Sequence, residues 1–316
     1  MTRLKYPDIK NIAAQLTDYD NELLQKTGHT LRGIACHALD FHEEKLQSLC
    51  GSVSIGIVPI SSGQGVIRAF SQTIAQIVRY IGFNAFVTSE SDVTGIAEAV
   101  EQKAQVIMMA DDHRFVALNV ARGLVVDNSE ATGKGFTAGL DLMTGGLKEQ
   151  KVLVIGCGPV GQSAALAAIH RGAEVSVFDI DSQRSQVLAK AIMERTGCHE
   201  NSHQGTKAQR NTKKSLLKFS SSHVNIEQTL EKALSGHSFI VEATNAAEVI
   251  DDIFITPETY IAAPGMPLGL TPAAVQKVSR RLLHDPLQLG VAVMVIEVAV
   301  SCIENKRLST DYTDGH

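Results

Sequence analysis

One stretch constrains this chain more than any other. Lys151-Val-Leu-Val-Ile155 reads as a strand, Gly156-Cys-Gly-Pro-Val-Gly161 as a turn, and Gln162 to His170 as a helix. After Gly172-Ala173, Glu174 to Phe178 reads as the next strand, ending at Asp179. This is G-x-G-x-x-G in its full strand–turn–helix–strand setting, with an acid 23 residues after the first glycine. Gly156 permits the tight turn, Gly158 lets backbone approach a pyrophosphate, and Gly161 allows close helix–strand packing. The residues Gly156, Cys157, Gly158, Pro159, Val160 and Gly161 would then surround a pyrophosphate on a helix N-terminus. Asp179 would accept from the adenosine ribose hydroxyl, and its charge would repel a 2′-phosphate, which favours NAD over NADP. FAD and S-adenosylmethionine fit less well, the first because its sites usually open a chain, the second because its glycine motif is looser.

That motif begins near residue 150 of 316, so about as much chain precedes it as follows it. A chain this long divides naturally into two domains of about 150 residues. The balance of 29 Lys+Arg against 34 Asp+Glu gives −5, which argues against a nucleic-acid binder. Five scattered cysteines without a Cys-x-x-Cys pair, after a polar amphipathic start, lead us to expect reduced thiols and a cytoplasmic protein. We expect no metal site. The longest apolar run, Leu287 to Val300, is interrupted by Gln288, Gly290 and Glu297 and is shorter than the roughly 18 residues of a membrane span. It reads as a buried helix returning across the crevice between the domains.

Before the motif, helical spacing from Ile9 to Leu23 with a stop at Gly28 predicts an N-terminal helix or broken pair, and a second helical piece over 31–49. Either these pack on the core or they close over a site. Strands are expected at 53–59, 83–88, 105–109 and 124–126, with helices at 66–81, 96–103 and 114–121 and a turn at Asp92–Gly95. This is a parallel α/β unit. Open parallel sheets bind ligands beyond the carboxyl ends of their strands. Two polar clusters fall there: Ser61, Ser62, Gly63 and Gly65, and Asp111, Asp112 and His113. The first offers backbone N–H groups and hydroxyls to an anion, or is simple turn chemistry. Either acid of the second can cap a following helix, hold a substrate ammonium or act as a base.

Phe136 to Gly146 reads as a helical connection into the second lobe. Beyond Asp179 a helix runs to about Thr196. The segment 201–226 then carries Lys207, Arg210, Lys213, Lys214 and Lys218 and no acid, leaving −10 on the remainder. We read it as a solvated insertion. Later strands end at Thr244-Asn245 and at Pro264-Gly-Met-Pro-Leu268; both ends would border the nicotinamide. Pro272 opens a helix. His284 has either a structural role or a substrate contact.

Several strings together are more specific than the glycine motif: Ile57-Val-Pro-Ile-Ser-Ser-Gly-Gln-Gly65, Ala85-Phe-Val-Thr88, Asp92-Val-Thr-Gly95, Met109-Ala-Asp-Asp112, Glu242-Ala-Thr244 and Pro264-Gly-Met-Pro267. In this order, over roughly residues 5 to 300, the chain closely resembles the PylD family of pyrrolysine biosynthesis proteins. The resemblance implies a helical segment and two α/β lobes, with NAD on the second. It implies a small-molecule isopeptide substrate, lysine acylated on its ε-nitrogen by 3-methyl-D-ornithine. Oxidation of the ornithine terminal amine, loss of ammonia and ring closure would yield pyrrolysine. Asp111 matches the family acid that would bind the ammonium and steer its proton, Ser61 and Ser62 match the substrate-side loop, and Leu4 falls on the helix that closes over substrate. The segment 201–226 and the tail after Val300 extend beyond the family pattern, and His284 stands where an acid is expected.

The expected architecture is therefore α/β: residues 1–50 a helical segment and lid candidate, 51–145 a substrate-side α/β domain, 146–300 a Rossmann NAD-binding domain with the insertion 201–226, and 301–316 a tail. Cofactor contacts are expected from Gly156–Gly161, Asp179, Thr244, Asn245 and Pro264. The oligomeric state stays open. Two other readings compete: a dehydrogenase of another amino or hydroxy acid, which would usually show a catalytic Lys or His with an Arg clamp, and a non-catalytic NAD sensor, which would not need Asp111.

Overall fold

In the computed structural model the described residues are 4–61, 63, 69–196 and 224–302. The expectations for Ser62, for most of the basic segment and for nearly all of the tail lie outside them. The chain opens with α1 (Tyr6–Ile9), α2 (Ile12–Thr27), α3 (Leu31–Ala38) and α4 (Glu43–Cys50). Gly28 adopts φ +74° and ends α2 in the left-handed conformation that glycine tolerates best. The helical piece expected over 31–49 is two helices, because Asp40 turns at φ +50° and His42 opens a new N-terminus.

The first lobe runs β1 (Ser54–Ile57), α5 (Phe70–Tyr80), β2 (Asn84–Val87), α6 (Asp92–Glu101), β3 (Val106–Ala110), β4 (Phe115–Asn119) and β5 (Leu124–Asp127). Its sheet order is β2-β1-β3-β4-β5. The first three strands are parallel, while β4 and β5 pair antiparallel. The helix expected at 114–121 is thus a strand. Phe115, Ala117 and Asn119 are buried and alternate with more exposed neighbours, a period of two that a hairpin satisfies and a helix does not. The turn expected at Asp92–Gly95 is the first turn of α6.

A 17-residue helix, α7 (Asn128–Thr144), carries the chain onward. The second lobe runs β6 (Lys151–Ile155), α8 (Pro159–His170), β7 (Glu174–Phe178), α9 (Ser182–Thr196), β8 (Asn225–Ile226), α10 (Leu230–Gly236), β9 (Phe239–Glu242), β10 (Tyr260–Ala262), α11 (Pro272–Val278) and β11 (Leu282–Leu283). Its six strands are all parallel in the order β11-β10-β9-β6-β7-β8, the doubly wound Rossmann order. The last helix, α12 (Gln288–Ser301), is buried on nearly every side, as an all-round apolar sequence requires.

The helix that joins the lobes is α7 rather than α12. A Cβ on Gly133 of α7 would lie 2.5 Å from the Val160 carbonyl and 2.6 Å from Ser163 Cβ of α8. On its other side, a Cβ on Gly290 of α12 would lie 2.3 Å from Thr132 Oγ1. Only glycine lets three helix backbones approach this closely. The helix α12 packs on α3, α5, β4 and β5, so it completes the first lobe and the helical segment instead of spanning the crevice. The helical segment is fastened at a second point. Tyr19 donates to Asp285 Oδ2 at 2.6 Å, and Asp285 Oδ1 accepts from the Leu287 and Leu289 amides. No described helix is long and apolar enough to cross a membrane.

Candidate active site

At the end of β6, Gly156 turns at φ +93° and its amide donates to the Phe178 carbonyl at 2.8 Å. A Cβ on Gly161 would stand 1.8 Å from the Gly156 carbonyl oxygen, so residue 161 must be glycine for α8 to start here. Nothing lies within 4 Å of the corresponding point on Gly158. Gly158 is the N-cap of α8, no side chain caps it, and Pro159 occupies the first turn. The helix therefore presents uncapped N–H groups, the positive end of its dipole, toward open space. Asp179 braces the turn: Oδ2 accepts from the Cys157 amide at 2.7 Å and Oδ1 from the Asp181 amide at 2.9 Å. Each carboxylate oxygen retains a further lone pair. Beside it, Phe178, Ile180, Gln186 and Gln228 help line a hollow of about 260 Å³. Burial pushes the Cys157 thiol up to about 11, so it is an inert packing group.

Thr244 and Asn245 follow β9, the neighbour of β6, and Pro264 follows β10, one strand further out. Ala243 lies against Gly156, since a Cβ there would meet the Ala243 carbonyl at 2.8 Å. Thr244 donates both its amide and its hydroxyl to Glu242, and Asn245 is exposed. His284 is held by its Nδ1, which donates to the Ala263 carbonyl at 2.7 Å.

In the first lobe, Ser61 follows β1. Its amide donates to Asp92 Oδ1 at 3.0 Å, and its hydroxyl donates to Asp92 Oδ2. Asp92 pays for this position with φ +55°, strain that an unbranched side chain tolerates and that gathers at functional sites. The Ser61 hydroxyl and amide bonds hold the Asp92 carboxyl below its usual range. A Cβ on Gly63 would come within 2.9 Å of Asp112 Oδ2, so the two polar clusters of this lobe meet. Asp111 is exposed and shapes the β3–β4 hairpin: its Oδ1 accepts from the His113 and Arg114 amides, each at 2.7 Å. These two bonds hold its carboxyl below the ordinary carboxylate range. Neither acid caps a helix, because a strand follows. Leu4, half-buried, packs against the main core just before α1, and α1 lies on α5.

A run of hydrogen bonds and helix backbone leads from the Asp111 cluster to α8. Arg114, whose amide is bonded to Asp111, reaches Asp127 Oδ2 at 3.0 Å through Nε. Asp127 caps α7 by accepting from the Ser129 amide. One turn on, the Glu130 carbonyl accepts from the Ser163 hydroxyl of α8 at 2.7 Å. Asp92 and Glu242 carried no role in the sequence reading. The signal for Glu242 was an acid closing an otherwise apolar strand; Asp92 stood in a string read as a turn, and its left-handed conformation is invisible in sequence. No group of metal ligands occurs among the described residues.

This fold and these strand-end clusters define a dehydrogenase-like two-lobe protein. Residues 8–126 match the family model "Pyrrolysine biosynthesis protein PylD, N-terminal domain", and residues 125–242 match "Alanine dehydrogenase/PNT, C-terminal domain". The chain is 29% identical over 300 residues to a pyrrolysine synthase of Methanosarcina acetivorans, covering 94% of this chain and all of that protein. It is also 29% identical over 300 residues to a pyrrolysine synthase of Methanosarcina barkeri, covering 94% and 98%. Shikimate dehydrogenase from Aquifex aeolicus superposes with a TM-score of 0.50 at 15% identity, over 80% of this chain and 97% of that one, a likeness of fold alone. The chain is thus similar to pyrrolysine synthases over most of its length, and part of its second lobe is similar to the C-terminal domain of alanine dehydrogenases.

Proposed function

We propose that this chain is an NAD-dependent amine dehydrogenase of the PylD family that oxidises the terminal amine of lysine-Nε-3-methyl-D-ornithine, the step that leads by cyclisation to pyrrolysine. The observation that carries this reading is the run of contacts from Asp111 to α8. It ties the PylD-like cluster of the first lobe to α8, the helix that the glycine turn of the second lobe opens.

The turn fits NAD: open space at Gly158, an uncapped helix N-terminus for the pyrophosphate, and the Asp179 carboxylate beside a hollow of adenosine size. Bound there, NAD would accept the hydride. Asp179 would receive the ribose hydroxyls. Thr244, Asn245 and Pro264 would border the nicotinamide. Gly156, Cys157, Pro159, Val160 and Gly161 would shape the pyrophosphate bed.

Asp111, kept ionised by its two amide bonds, suits the task of holding a substrate ammonium. A carboxylate with so low a pKa is a weak base at pH 7. Its part is to fix the cation and to route the departing proton outward through water. Ser61 has its hydroxyl proton committed to Asp92, so its oxygen is left to accept from a substrate amide N–H. Ser62 would extend that contact, and Leu4 would seal the site as the helical segment closes. In the reaction a hydride leaves the amine-bearing carbon and a proton leaves its nitrogen, giving an imine. Water replaces ammonia to give the aldehyde, and the α-amine condenses on it with loss of water.

The test is to incubate the full chain with NAD and this isopeptide, following NADH absorbance and pyrrolysine by mass spectrometry. Formation of both supports the reading. No NADH above the no-substrate control, from protein shown to be folded, refutes it. NADH formation with a simple amino or hydroxy acid instead would move the chain to that other class of dehydrogenase.

A further inference from the structure

The strand β9 reads Phe-Ile-Val-Glu, an acid closing an apolar run in the middle of the second sheet. Glu242 is fully buried. Its Oε1 accepts from the Thr244 amide at 2.9 Å and from the Thr244 hydroxyl. Its Oε2 is buried and faces the backbone of the next loop without a well-formed hydrogen bond. A Cβ on Gly265 would lie 2.8 Å from Oε2, and one on Gly269 would lie 2.5 Å from it. The carboxyl is therefore wedged between two glycine backbones. On one side it fastens the 243–245 loop, which lies on Gly156; on the other it supports the 264–269 loop.

We propose that Glu242 is a positioning residue that clamps together the two loops bordering the nicotinamide end of the cofactor site, and that a charge on its buried, unpaired oxygen loosens the clamp. This rests on the NAD reading above. A buried carboxylate with one unpaired oxygen is costly. Burial accordingly pushes Glu242 up to about 7, against smaller opposing effects from Thr244 and Gly269. The elements packed on β9 are β6, β10, α7 and α8. Their titratable groups are Lys151, Tyr260, Glu130, Lys134, Asp141 and His170, and none of them is among the causes of the shift. His284, beyond β11, is tied to the Ala263 carbonyl. When Glu242 ionises, the unpaired charge draws water or parts the loops, and the nicotinamide end loosens.

The experiment is NADH binding to the full chain, read by nicotinamide fluorescence from pH 6 to pH 9. Wild type is expected to bind tightly at pH 6 and to lose up to about tenfold in affinity per pH unit once Glu242 has ionised. Glu242→Gln stays neutral, so its affinity is expected to vary less than about twofold over that range, while other titrating groups are common to both proteins. Thr244→Val removes a donor that favours the carboxylate, so its profile is expected to shift to higher pH. A Glu242→Gln profile that follows wild type overturns this proposal alone, as does a Thr244→Val midpoint that moves down. Failure of wild type to bind NADH at any pH overturns the NAD reading and the proposal with it.

Discussion

The two lobes place acids at the carboxyl ends of their parallel strands and treat them in opposite ways. In the first lobe, Asp92 and Asp111 take amide hydrogen bonds near the surface and are held below the usual carboxylate range. In the second, Glu242 is buried and pushed up to about 7. The first arrangement yields anions that stay charged at any physiological pH, suited to a cation. The second yields an acid that changes state near neutrality. Sensitivity to pH around 7 should therefore reside in the second lobe, not at the acids of the first.

The largest effect should come from the glycine turn, which this contrast takes as fixed. In Gly161→Ala the new Cβ has 1.8 Å to the Gly156 oxygen and no flexible neighbour to displace. NADH affinity is expected to fall more than about a hundredfold, with a loss of at least about 3 kcal/mol in stability by denaturant unfolding. Gly158→Ala has room in the protein, so its unfolding midpoint should match wild type while NADH binding weakens, because the methyl group enters the pyrophosphate space. Equal effects of the two substitutions on stability would remove the distinction between a packing glycine and a ligand-facing one.

Next in size is the stability of the buried acid. A carboxyl whose folded pKa lies above its ordinary 4.5 is neutral in both states below that value. Its cost grows as pH rises from 4.5 and is complete above about 7. Glu242→Gln is therefore expected to stabilise the protein at pH 8 relative to pH 4 by on the order of 3 kcal/mol. Chemical denaturation at the two pH values measures this. A difference of the opposite sign would mean that the hydrogen bonds from Thr244 outweigh the cost of burial.

Asp111→Asn tests the other half of the contrast. Loss of the anion is expected to lower kcat/KM about a hundredfold with NADH affinity unchanged. Since the carboxyl titrates below 3.8, no limb of the pH–rate profile above pH 5 should disappear in the variant. Loss of a limb near neutrality would reassign Asp111 as a base.

The contrast also explains what could be read from sequence. Most strands and helices were legible because each carries its own period and stop signal, as Val152–Ile155 and Gly28 do. The hairpin at 115–127 was not, since Phe115 to Asn119 fits a helix or a strand until β3 supplies a partner. The glycine turn was legible because its chemistry lies in consecutive residues. The Asp92 latch on Ser61 and the wedge of Glu242 between Gly265 and Gly269 join residues far apart in the chain. Their meaning arises only when the ends of neighbouring strands meet.

The smallest effect expected is at Asp179, whose two oxygens take backbone amides while it borders an open hollow. Asp179→Asn keeps the shape and one acceptor while removing the charge. NADH affinity should fall only a few-fold, since one braced amide loses a charged acceptor. NADPH affinity should rise by about tenfold, because a 2′-phosphate would no longer meet a carboxylate at the edge of β7. Parallel titrations with the two dinucleotides measure the ratio. A ratio unchanged by the substitution would mean that Asp179 serves the turn alone, and that the choice of dinucleotide lies with Glu227 and Gln228, which also line the hollow.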